Sequence, residues 1–312
     1  MDHKKKKGLF TGRNVILMLL ILCVVISGIL VIREQMEKKR QREEEERLRQ
    51  LAAQTTEAVQ TETEPEPEET ETEPEETEPP YVSPIDFESL WEENPDTVAW
   101  ITIPDTQIDY PIVYYAADNE KYLHEDFYGN ESVYGTIYLD SGSEPDFSGW
   151  NNPIYGHHMR DGSMFKDVTR YKEEQYFKDH QYFTIYTPER EIHLKAISCY
   201  YSEPSGIIRK TRFTSQEKFD QWALERLEPC KYAEIPEFSL RNMYILVTCS
   251  YEFNNARTLL YAVEVDEDNN ILPANEELTE SRIERMIERY KAERASGLTG
   301  ADSQDLPDQN TE

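Results

Sequence analysis

The first long apolar stretch of the chain, Val15 to Ile32, holds no charged residue over 18 positions. That length is just sufficient to cross a bilayer as a helix. No small-x-small cleavage site follows it closely, so a retained signal anchor over 15–32 is favoured over a cleaved signal peptide. Basic residues stand on both sides of the stretch, in the segment 1–14 and again from Arg33 onward. Their count therefore leaves the orientation of the anchor open.

Polar segments flank this anchor and close the chain. Residues 33–54 are rich in Glu, Arg, Lys and Gln, which predicts a charged helical stalk. Residues 55–80 are predicted to be a disordered linker, because Thr61 to Pro80 contains ten Glu, five Pro, five Thr and no basic residue. The last residues, 296–312, are predicted to be a disordered tail.

The globular part, 81–270, shows a series of short apolar runs typical of strands, with turn signals between some of them. Eight strands are predicted: Val98–Ile103, Ile108–Val113, Gly135–Leu139, Pro153–Gly156, Tyr182–Tyr186, Ile192–Tyr201, Met243–Thr248 and Thr258–Val265. Many short strands with few helices favour a mainly β fold, a barrel or a sandwich.

Three helices accompany the predicted strands. A short one spans Phe87 to Glu93, before the first strand. Thr214 and Glu217 have the spacing of a capping box in front of an amphipathic helix. A third helix is predicted for Asn275 to Ala295, within the C-terminal segment 271–295.

Composition narrows the classes of function. The net charge is 33 − 62 = −29, so the chain is expected to repel nucleic acid. Of four cysteines, Cys23 lies in the apolar anchor and three lie outside it: Cys199, Cys230 and Cys249. At least one of these three is unpaired within the chain, which makes it a candidate nucleophile.

The predicted strands on either side of residues 250–256 place two reactive groups near each other. Cys249 ends the first strand and Arg257 opens the second, eight positions later (257 − 249). If the strands form a hairpin, both side chains point to one place. A nearby cation favours the thiolate, the form of cysteine that attacks carbonyl groups. The alternative is a buried core cysteine beside a surface arginine.

A cysteine nucleophile needs an acid–base partner, and two of the six histidines are the best candidates. His157 and His158 end a predicted strand just after Gly156, where functional side chains are often presented. Neighbouring side chains on an extended chain point in opposite directions, so only one of them can face the thiol. No set of metal ligands with suitable spacing is present, and no cofactor is predicted.

Several motifs in this order resemble the sortases, cysteine transpeptidases of Gram-positive cell surfaces, and specifically their class B. The motifs are NPDTVAWITIPDTQIDYPIV from Asn94, DNEKYL from Asp118, GTIYLD from Gly135, IYGHHM from Ile154 and LVTC from Leu246, followed by Arg257. The resemblance covers about Asn94 to Val265. It implies an eight-stranded sortase-type β-barrel with a few peripheral helices.

The resemblance also implies roles for individual residues. Cys249 is expected to be the nucleophile, His157 the acid–base residue and Arg257 the oxyanion or substrate clamp. The groove for the substrate is expected to include Asn119, Tyr155, Ile207, Ile208 and Thr248. The connection from Cys249 to Arg257 is slightly shorter than in some class B members.

The implied reaction cleaves a C-terminal sorting signal, Asn-Pro-x-Thr-like by resemblance, in secreted proteins. An acyl-enzyme then passes the protein to an amino group of peptidoglycan or of its lipid-linked precursor. The implied location is the cell membrane, with a single span, the N-terminus in the cytoplasm and the catalytic domain outside.

Three alternatives remain at this point. A pilus-assembling class C sortase often carries a lid with an Asp-Pro-Trp-like motif before the barrel, and this chain lacks that motif. A Cys–His peptidase or amidase would hydrolyse instead of transferring, but papain-like enzymes place Cys before His. A membrane-anchored module that only binds the cell wall would not need Cys249, His157 and Arg257 together.

Overall fold

The computed structural model describes residues 12–53, 81–203, 208–252 and 254–295. Most of the predicted N-terminal segment, the predicted linker and the predicted tail lie outside these residues. So does Ile207, one of the residues expected in the substrate groove. The chain divides into two units, one up to Arg47 and one from Leu48 onward.

The first unit consists of a helix. Helix α1 (Gly12–Ala52) runs without interruption through the predicted anchor and the predicted stalk, and its last turn belongs to the second unit. Its most apolar 18-residue window has a mean hydropathy of 3.4 and is not buried in the structure. By length and composition, α1 is a candidate transmembrane span. Its charged half has ion pairs one turn apart, such as Lys38–Glu34 at 2.7 Å.

The second unit is built on a closed barrel of eight strands, as predicted. The strands are β1 (Thr97–Thr102), β2 (Asp109–Val113), β3 (Tyr138–Leu139), β4 (Asn151–Tyr155), β5 (Tyr182–Tyr186), β6 (Glu191–Ser202), β7 (Met243–Cys249) and β8 (Arg257–Glu264). Predicted and observed bounds agree to within a few residues. The largest difference is in β3, which does not begin at Gly135. That residue has φ +59°, in the left-handed region, so the chain turns there before it becomes extended.

The order of the strands around the barrel is β1-β2-β3-β4-β7-β8-β6-β5, and β5 closes it by pairing with β1. Two pairs are parallel, β2 with β3 and β4 with β7. The other pairs are antiparallel. This order puts β4, β7 and β8 side by side, although β4 lies about ninety positions before β7 in the sequence.

The strands separate two apolar clusters. Ile154, Leu246 and Leu260 belong to the cluster that fills the barrel, and we call their side of the sheet the inner face. Ile245, Val247 and Leu259 belong to a second cluster on the opposite side, the outer face. This alternation follows from the two-residue period of a strand.

Short helices surround the barrel. They are α2 (Phe87–Glu93), α3 (Lys121–His124), a 3-10 helix (Lys166–Lys172), α4 (Glu174–Asp179), α5 (Gln216–Leu227) and α6 (Glu276–Ala295). Helix α5 covers the outer cluster with Phe219, Trp222 and Leu227. The amphipathic helix that the sequence predicted after the capping box is thus present.

The predicted cap of α5 is wrong by one residue. The N-cap is Ser215, not Thr214, and its Oγ accepts from the backbone N–H of Lys218 at 3.3 Å. A Ser–Thr neighbour pair offers two equivalent capping side chains, so the pattern alone could not separate them. Helix α6 begins as predicted beside Asn275, whose Oδ1 accepts from the N–H of Leu278.

Candidate active site

The predicted hairpin of Cys249 and Arg257 is present. In the antiparallel pair of β7 and β8, Cys249 lies directly opposite Arg257. Both are partly exposed, whereas the strand residues before Cys249 are buried. Both follow the alternation of the outer face, because Val247 and Leu259 lie two positions away. The thiol and the guanidinium therefore share one surface of the sheet.

Arg257 is held by the connection that precedes it. Its Nη1 donates to the carbonyl oxygens of Asn255 at 3.1 Å and Ala256 at 3.2 Å. Within the described part of the chain, Nε and Nη2 of Arg257 have no acceptor, so they are available to a ligand. A planar fork fixed at one nitrogen can present its other N–H groups in a defined direction.

The parallel pairing of β4 with β7 brings the end of β4 next to the strand that ends at Cys249. Tyr155 pairs with Val247, and the N–H of Gly156 donates to the carbonyl of Val247 at 3.1 Å. Strand β4 ends at Tyr155, two residues before His157. If the alternation of β4 continued past this end, His157 would face the same side as Tyr155, which packs against the outer cluster.

A backbone carbonyl orients the ring of His157. Its Nε2 lies 2.8 Å from the carbonyl oxygen of Leu123, at the end of α3. A carbonyl can only accept, so Nε2 carries the proton and Nδ1 is the nitrogen left for proton transfer. Gly135 lies against this ring, because a Cβ there would be 3.2 Å from His157 Cδ2 and 2.6 Å from the carbonyl oxygen of Tyr122.

His158 has different surroundings. Its Nδ1 lies 3.0 Å from the carbonyl oxygen of Cys249, and its ring packs against Tyr251. Burial lowers the pKa of His158, and the nearby Lys166 charge lowers it further. His158 thus contacts the backbone at the end of β7, while the ring of His157 is turned toward α3.

Gly156 is a position where the backbone packs closely against the barrel core. A Cβ at Gly156 would lie 2.5 Å from Ile137 Cδ1 and 2.6 Å from Phe165 Cγ, both of them in the packed barrel core. A larger residue would therefore displace Ile137 or Phe165, or the backbone just before the two histidines.

A group of polar residues surrounds Tyr155 on the outer face, and sequence reasoning did not identify this group. The Tyr155 hydroxyl donates to Asp140 Oδ2 at 2.9 Å, and Arg209 Nε donates to the same oxygen at 2.9 Å. The Tyr138 ring stacks on Tyr155 with centroids 5.0 Å apart. Burial, with the charge of Asp140, raises the pKa of both phenols. The Arg257 charge acts in the opposite direction on the pKa of Tyr138 and reduces this rise. Arg257 therefore lies within electrostatic reach of the group.

The residues expected in the substrate groove have different positions. Asn119 is partly exposed, and its Oδ1 accepts from the N–H of Ser141 at 2.7 Å, next to Asp140. Ile208 is buried in the outer cluster with Val247. Thr248 is 2% exposed and, by alternation, faces inward, away from the thiol. The structure therefore puts Tyr155 and Ile208 on the outer face, Asn119 next to Asp140, and Thr248 on the inner face.

The other two cysteines outside α1 are buried and free. Cys199 lies in β6 within the barrel core, and burial raises the pKa of its thiol. Cys230 follows α5 and is also buried. Neither is exposed as Cys249 is.

No family model matches the chain, but individual proteins do. The chain is 42% identical to Sortase B of Listeria monocytogenes over 83 residues. This aligned region is 27% of this chain and 33% of that protein. It is 26% identical over 136 residues to Sortase B of Staphylococcus aureus, 44% of this chain and 55% of that protein. The chain thus aligns with between a third and about half of the length of these curated relatives.

Solved structures agree with this. The crystal structure of Clostridium perfringens sortase B matches with a TM-score of 0.54 and 29% identity, over 58% of this chain and 100% of that one. The fold is that of the sortases, which confirms the predicted eight-stranded sortase-type barrel. The predicted resemblance is also confirmed at the level of the class, because the relatives found by sequence and by structure are class B sortases.

Proposed function

We propose that this protein is a membrane-anchored cysteine transpeptidase of the sortase B type, with Cys249, His157 and Arg257 as its catalytic residues. The observation that carries the proposal is the direct pairing of Cys249 with Arg257 on the outer face. His157 follows β4, the parallel neighbour of the strand that ends at Cys249, and this supports its inclusion. Similarity to sortase B proteins supports the type of reaction.

The first step is acylation of the cysteine. The thiol of Cys249 gives its proton to Nδ1 of His157, and the sulfur attacks the carbonyl carbon of the substrate peptide bond. Charge develops on the carbonyl oxygen, and the free N–H groups of Arg257 stabilise it. The C–N bond then breaks, and the leaving nitrogen takes the proton from His157. The products are a thioester on Cys249 and a free amine.

The second step is transfer to an acceptor amine. The amine attacks the thioester carbonyl, and Nδ1 of His157 accepts the proton that the nitrogen loses. The C–S bond breaks and Cys249 returns as a thiolate, which recovers a proton from His157. The hydrogen bond from Nε2 to Leu123 keeps the same nitrogen of His157 facing the reaction in both steps.

The substrate in this proposal is the C-terminal sorting signal of a secreted protein, Asn-Pro-x-Thr-like. It lies on the outer face along Tyr155 and Asn119, above the cluster that contains Ile208. The acceptor is an amino group of peptidoglycan or of its lipid-linked precursor. Helix α1 anchors the protein in the cell membrane, with its N-terminus in the cytoplasm and the barrel outside.

The experiment that tests this proposal uses the full chain in detergent micelles and a panel of fluorogenic sorting peptides, with and without an amine acceptor. We expect cleavage of at least one peptide and a product whose mass equals the acyl fragment joined to the acceptor. The Cys249→Ala variant is the control and should give neither product. Cleavage by the variant, or hydrolysis alone at every acceptor concentration, would contradict the transpeptidase.

A further inference from the structure

The carboxylate of Asp140, just after β3, is the centre of the polar group around Tyr155. Asp140 is 1% exposed. Its Oδ1 accepts from the backbone N–H of Gly142 at 2.9 Å. Its Oδ2 accepts from the Tyr155 hydroxyl and from Arg209 Nε, each at 2.9 Å. A buried carboxylate is tolerated only where cations and hydrogen-bond donors compensate its charge, so Asp140 and these partners depend on one another.

The connection from β6 to α5 is attached at the same place. Asn151, the first residue of β4, donates from Nδ2 to the backbone carbonyls of Ile208 at 3.0 Å and Lys210 at 2.9 Å. Arg209 lies between these two residues, and Asp140 holds its side chain. Hydrogen bonds thus hold the backbone of this part of the connection, and an ion pair holds the side chain between them.

The side-chain partners of Asp140 belong to segments that the sequence placed in the substrate groove. Tyr155 is itself one of the expected groove residues, and Arg209 directly follows another, Ile208. Asn119, a third, is one step away, because its Oδ1 accepts at 2.7 Å from the N–H of the residue after Asp140. Three segments that are far apart in the sequence therefore meet at one carboxylate.

This meeting point is also close to the proposed chemistry. Tyr155 lies two residues before His157, and its ring stacks on Tyr138 with centroids 5.0 Å apart. Burial raises the pKa of Tyr138, and the charges of Arg209 and Arg257 both reduce this rise. Both guanidinium groups are therefore within electrostatic reach of the same phenol, which places the Asp140 group beside the cation of the candidate active site.

We propose that Asp140 is a positioning residue for the sorting peptide: its carboxylate holds the Tyr155 hydroxyl and, through Arg209, the segment 208–210 in the arrangement that forms one wall of the groove. This inference rests on the proposed function. Within the described part of the chain, Asp140 makes no hydrogen bond or ion pair with the three proposed catalytic residues. Its loss should therefore act on peptide binding more than on the chemical steps.

The first measurement tests the holding role without any substrate. It is hydrogen exchange followed by mass spectrometry on the full chain in detergent micelles. Asp140→Asn has one acceptor oxygen in place of two, so it cannot serve both Gly142 and Arg209. We expect several-fold faster exchange in the peptides that cover 208–212 and Tyr155, because local opening there becomes easier. Unchanged exchange in both peptides would overturn the proposal.

Glu264 provides a matched control at the opposite end of β8 from the candidate active site. It is 3% exposed, and its Oε1 accepts from the Tyr244 hydroxyl at 2.6 Å and from Arg190 Nη2 at 3.0 Å. Glu264→Gln thus changes a buried carboxylate with the same kinds of partner. It should lower the melting temperature, as Asp140→Asn does, but should leave exchange in 208–212 and the KM for the peptide unchanged.

The second measurement is steady-state kinetics with a sorting peptide that the wild type cleaves. Asp140→Asn should raise KM about tenfold or more and change kcat by no more than a few-fold. Arg209→Gln should raise KM in the same direction. Arg209→Lys should recover part of this loss, because the charge beside Asp140 remains while the fork is lost. The double variant of Asp140→Asn and Arg209→Gln should raise KM by less than the product of the two single effects, since both remove one ion pair.

Three kinetic results would overturn the proposal. They are an equal rise in KM for Glu264→Gln and Asp140→Asn, which indicates general destabilisation, an unchanged KM in Asp140→Asn, and a fall in kcat at constant KM. If Asp140→Asn does not fold, Arg209→Gln and Arg209→Lys make the same comparison with Glu264→Gln. Absence of cleavage by the wild type would contradict the proposed function instead, and hydrogen exchange would still decide whether Asp140 holds the segment 208–210.

Discussion

The two faces of the sheet formed by β4, β7 and β8 have different uses at the same end of the barrel. On the outer face, Cys249 and Arg257 are partly exposed and pair across the strands. On the inner face, their neighbours Thr248 and Thr258 also pair, yet they are 2% and 0% exposed. A shift of one residue along a strand thus separates candidate chemistry from packing.

The same contrast applies to the two adjacent histidines. His157 continues the facing of Tyr155 and is oriented by Leu123, while His158 contacts the carbonyl of Cys249 and the ring of Tyr251. Two histidines that are neighbours in the sequence can therefore have different roles, because their rings have different contacts. We assign the proton exchange to His157 because the register of β4 with β7, continued by two residues, would direct its ring to the outer face.

The largest expected effect is the difference in activity between a variant of the partly exposed Cys249 and a variant of the buried Cys199. Cys249→Ala should abolish acyl-enzyme formation in a folded protein, because Cys199 and Cys230, the other described thiols of the barrel unit, are buried. Cys199→Ala should retain activity within a few-fold, since Cys199 is buried in the barrel core. Intact-protein mass spectrometry after incubation with a sorting peptide, with circular dichroism as the control for folding, measures both. Full activity of Cys249→Ala would remove the outer face from the mechanism.

The next effect distinguishes the histidines. His157→Ala should lower turnover by about 10²–10⁴-fold, the usual contribution of a general acid–base residue. His158→Ala should retain most of the turnover, because its ring contacts the backbone of Cys249 and the ring of Tyr251 and has no role in the proposed proton transfer. Steady-state kinetics of both variants decide the question. The reverse ranking would mean that the functional register is shifted by one residue.

Arg257 gives the third effect. Removing a group that stabilises an oxyanion costs roughly 2.7–4 kcal/mol, or about 10²–10³ in rate, and Arg257→Ala should fall in this range. Arg257→Lys should recover only a small part, because lysine has no planar fork. If the residue formed only a surface ion pair, Arg257→Ala would change stability by about 0–1 kcal/mol and leave turnover nearly intact. Pre-steady-state rates of acylation and of transfer separate these cases.

A smaller effect concerns the groove. Ile208→Glu places a charge in the outer cluster beside Val247 and should raise the KM for the peptide more than it lowers kcat. Ile208→Ala, which is less disruptive, should raise KM in the same direction. Leu224→Glu, at an exposed position of α5, is the control and should leave KM unchanged. Unchanged peptide kinetics in a folded Ile208→Glu variant would exclude this residue from the groove.

The smallest effect is a dependence of stability on pH. Burial lowers the pKa of His158 in the folded protein below its ordinary value of about 6.5. The neutral form is therefore favoured by folding, so the contribution of His158 is present above pH 6.5 and is lost as the pH falls below it. His158→Gln should lose less melting temperature than the wild type between about pH 7 and pH 5. Equal losses would show that His158 does not titrate in this range.

Local patterns predicted the strands, the helices and the Cys249–Arg257 hairpin, because each depends on neighbours in sequence. The outer-face group of Tyr138, Asp140, Tyr155 and Arg209 could not be predicted in this way. Its members come from three separate segments, and the antiparallel pairing of β3 with β4 and the path of residues 208–213 bring them together. The motif GTIYLD contains Tyr138 and ends on Asp140. An acidic residue at the end of a predicted strand was therefore the available sequence signal for this group.

The cap of α5 and three arginines of α6, Arg282, Arg285 and Arg289, show the same limit at two scales. Thr214 and Ser215 differ by one residue, and only the backbone geometry selects Ser215. The arginines of α6 have helical spacing in the sequence, but their common facing toward Glu144 and Arg212 depends on where the helix packs. Spacing predicts which side chains share a face, while tertiary packing decides what that face contacts.

The central claim is that Cys249, His157 and Arg257 act together on the outer face to transfer an acyl group to an amine. The most direct measurement is a single-turnover experiment with the full chain and one cleavable sorting peptide, followed by intact-mass spectrometry before and after addition of an amine. We predict a mass gain equal to the acyl fragment on Cys249, which disappears as the amide product forms. An adduct on another residue, or an adduct released only by water at saturating amine, would contradict the account.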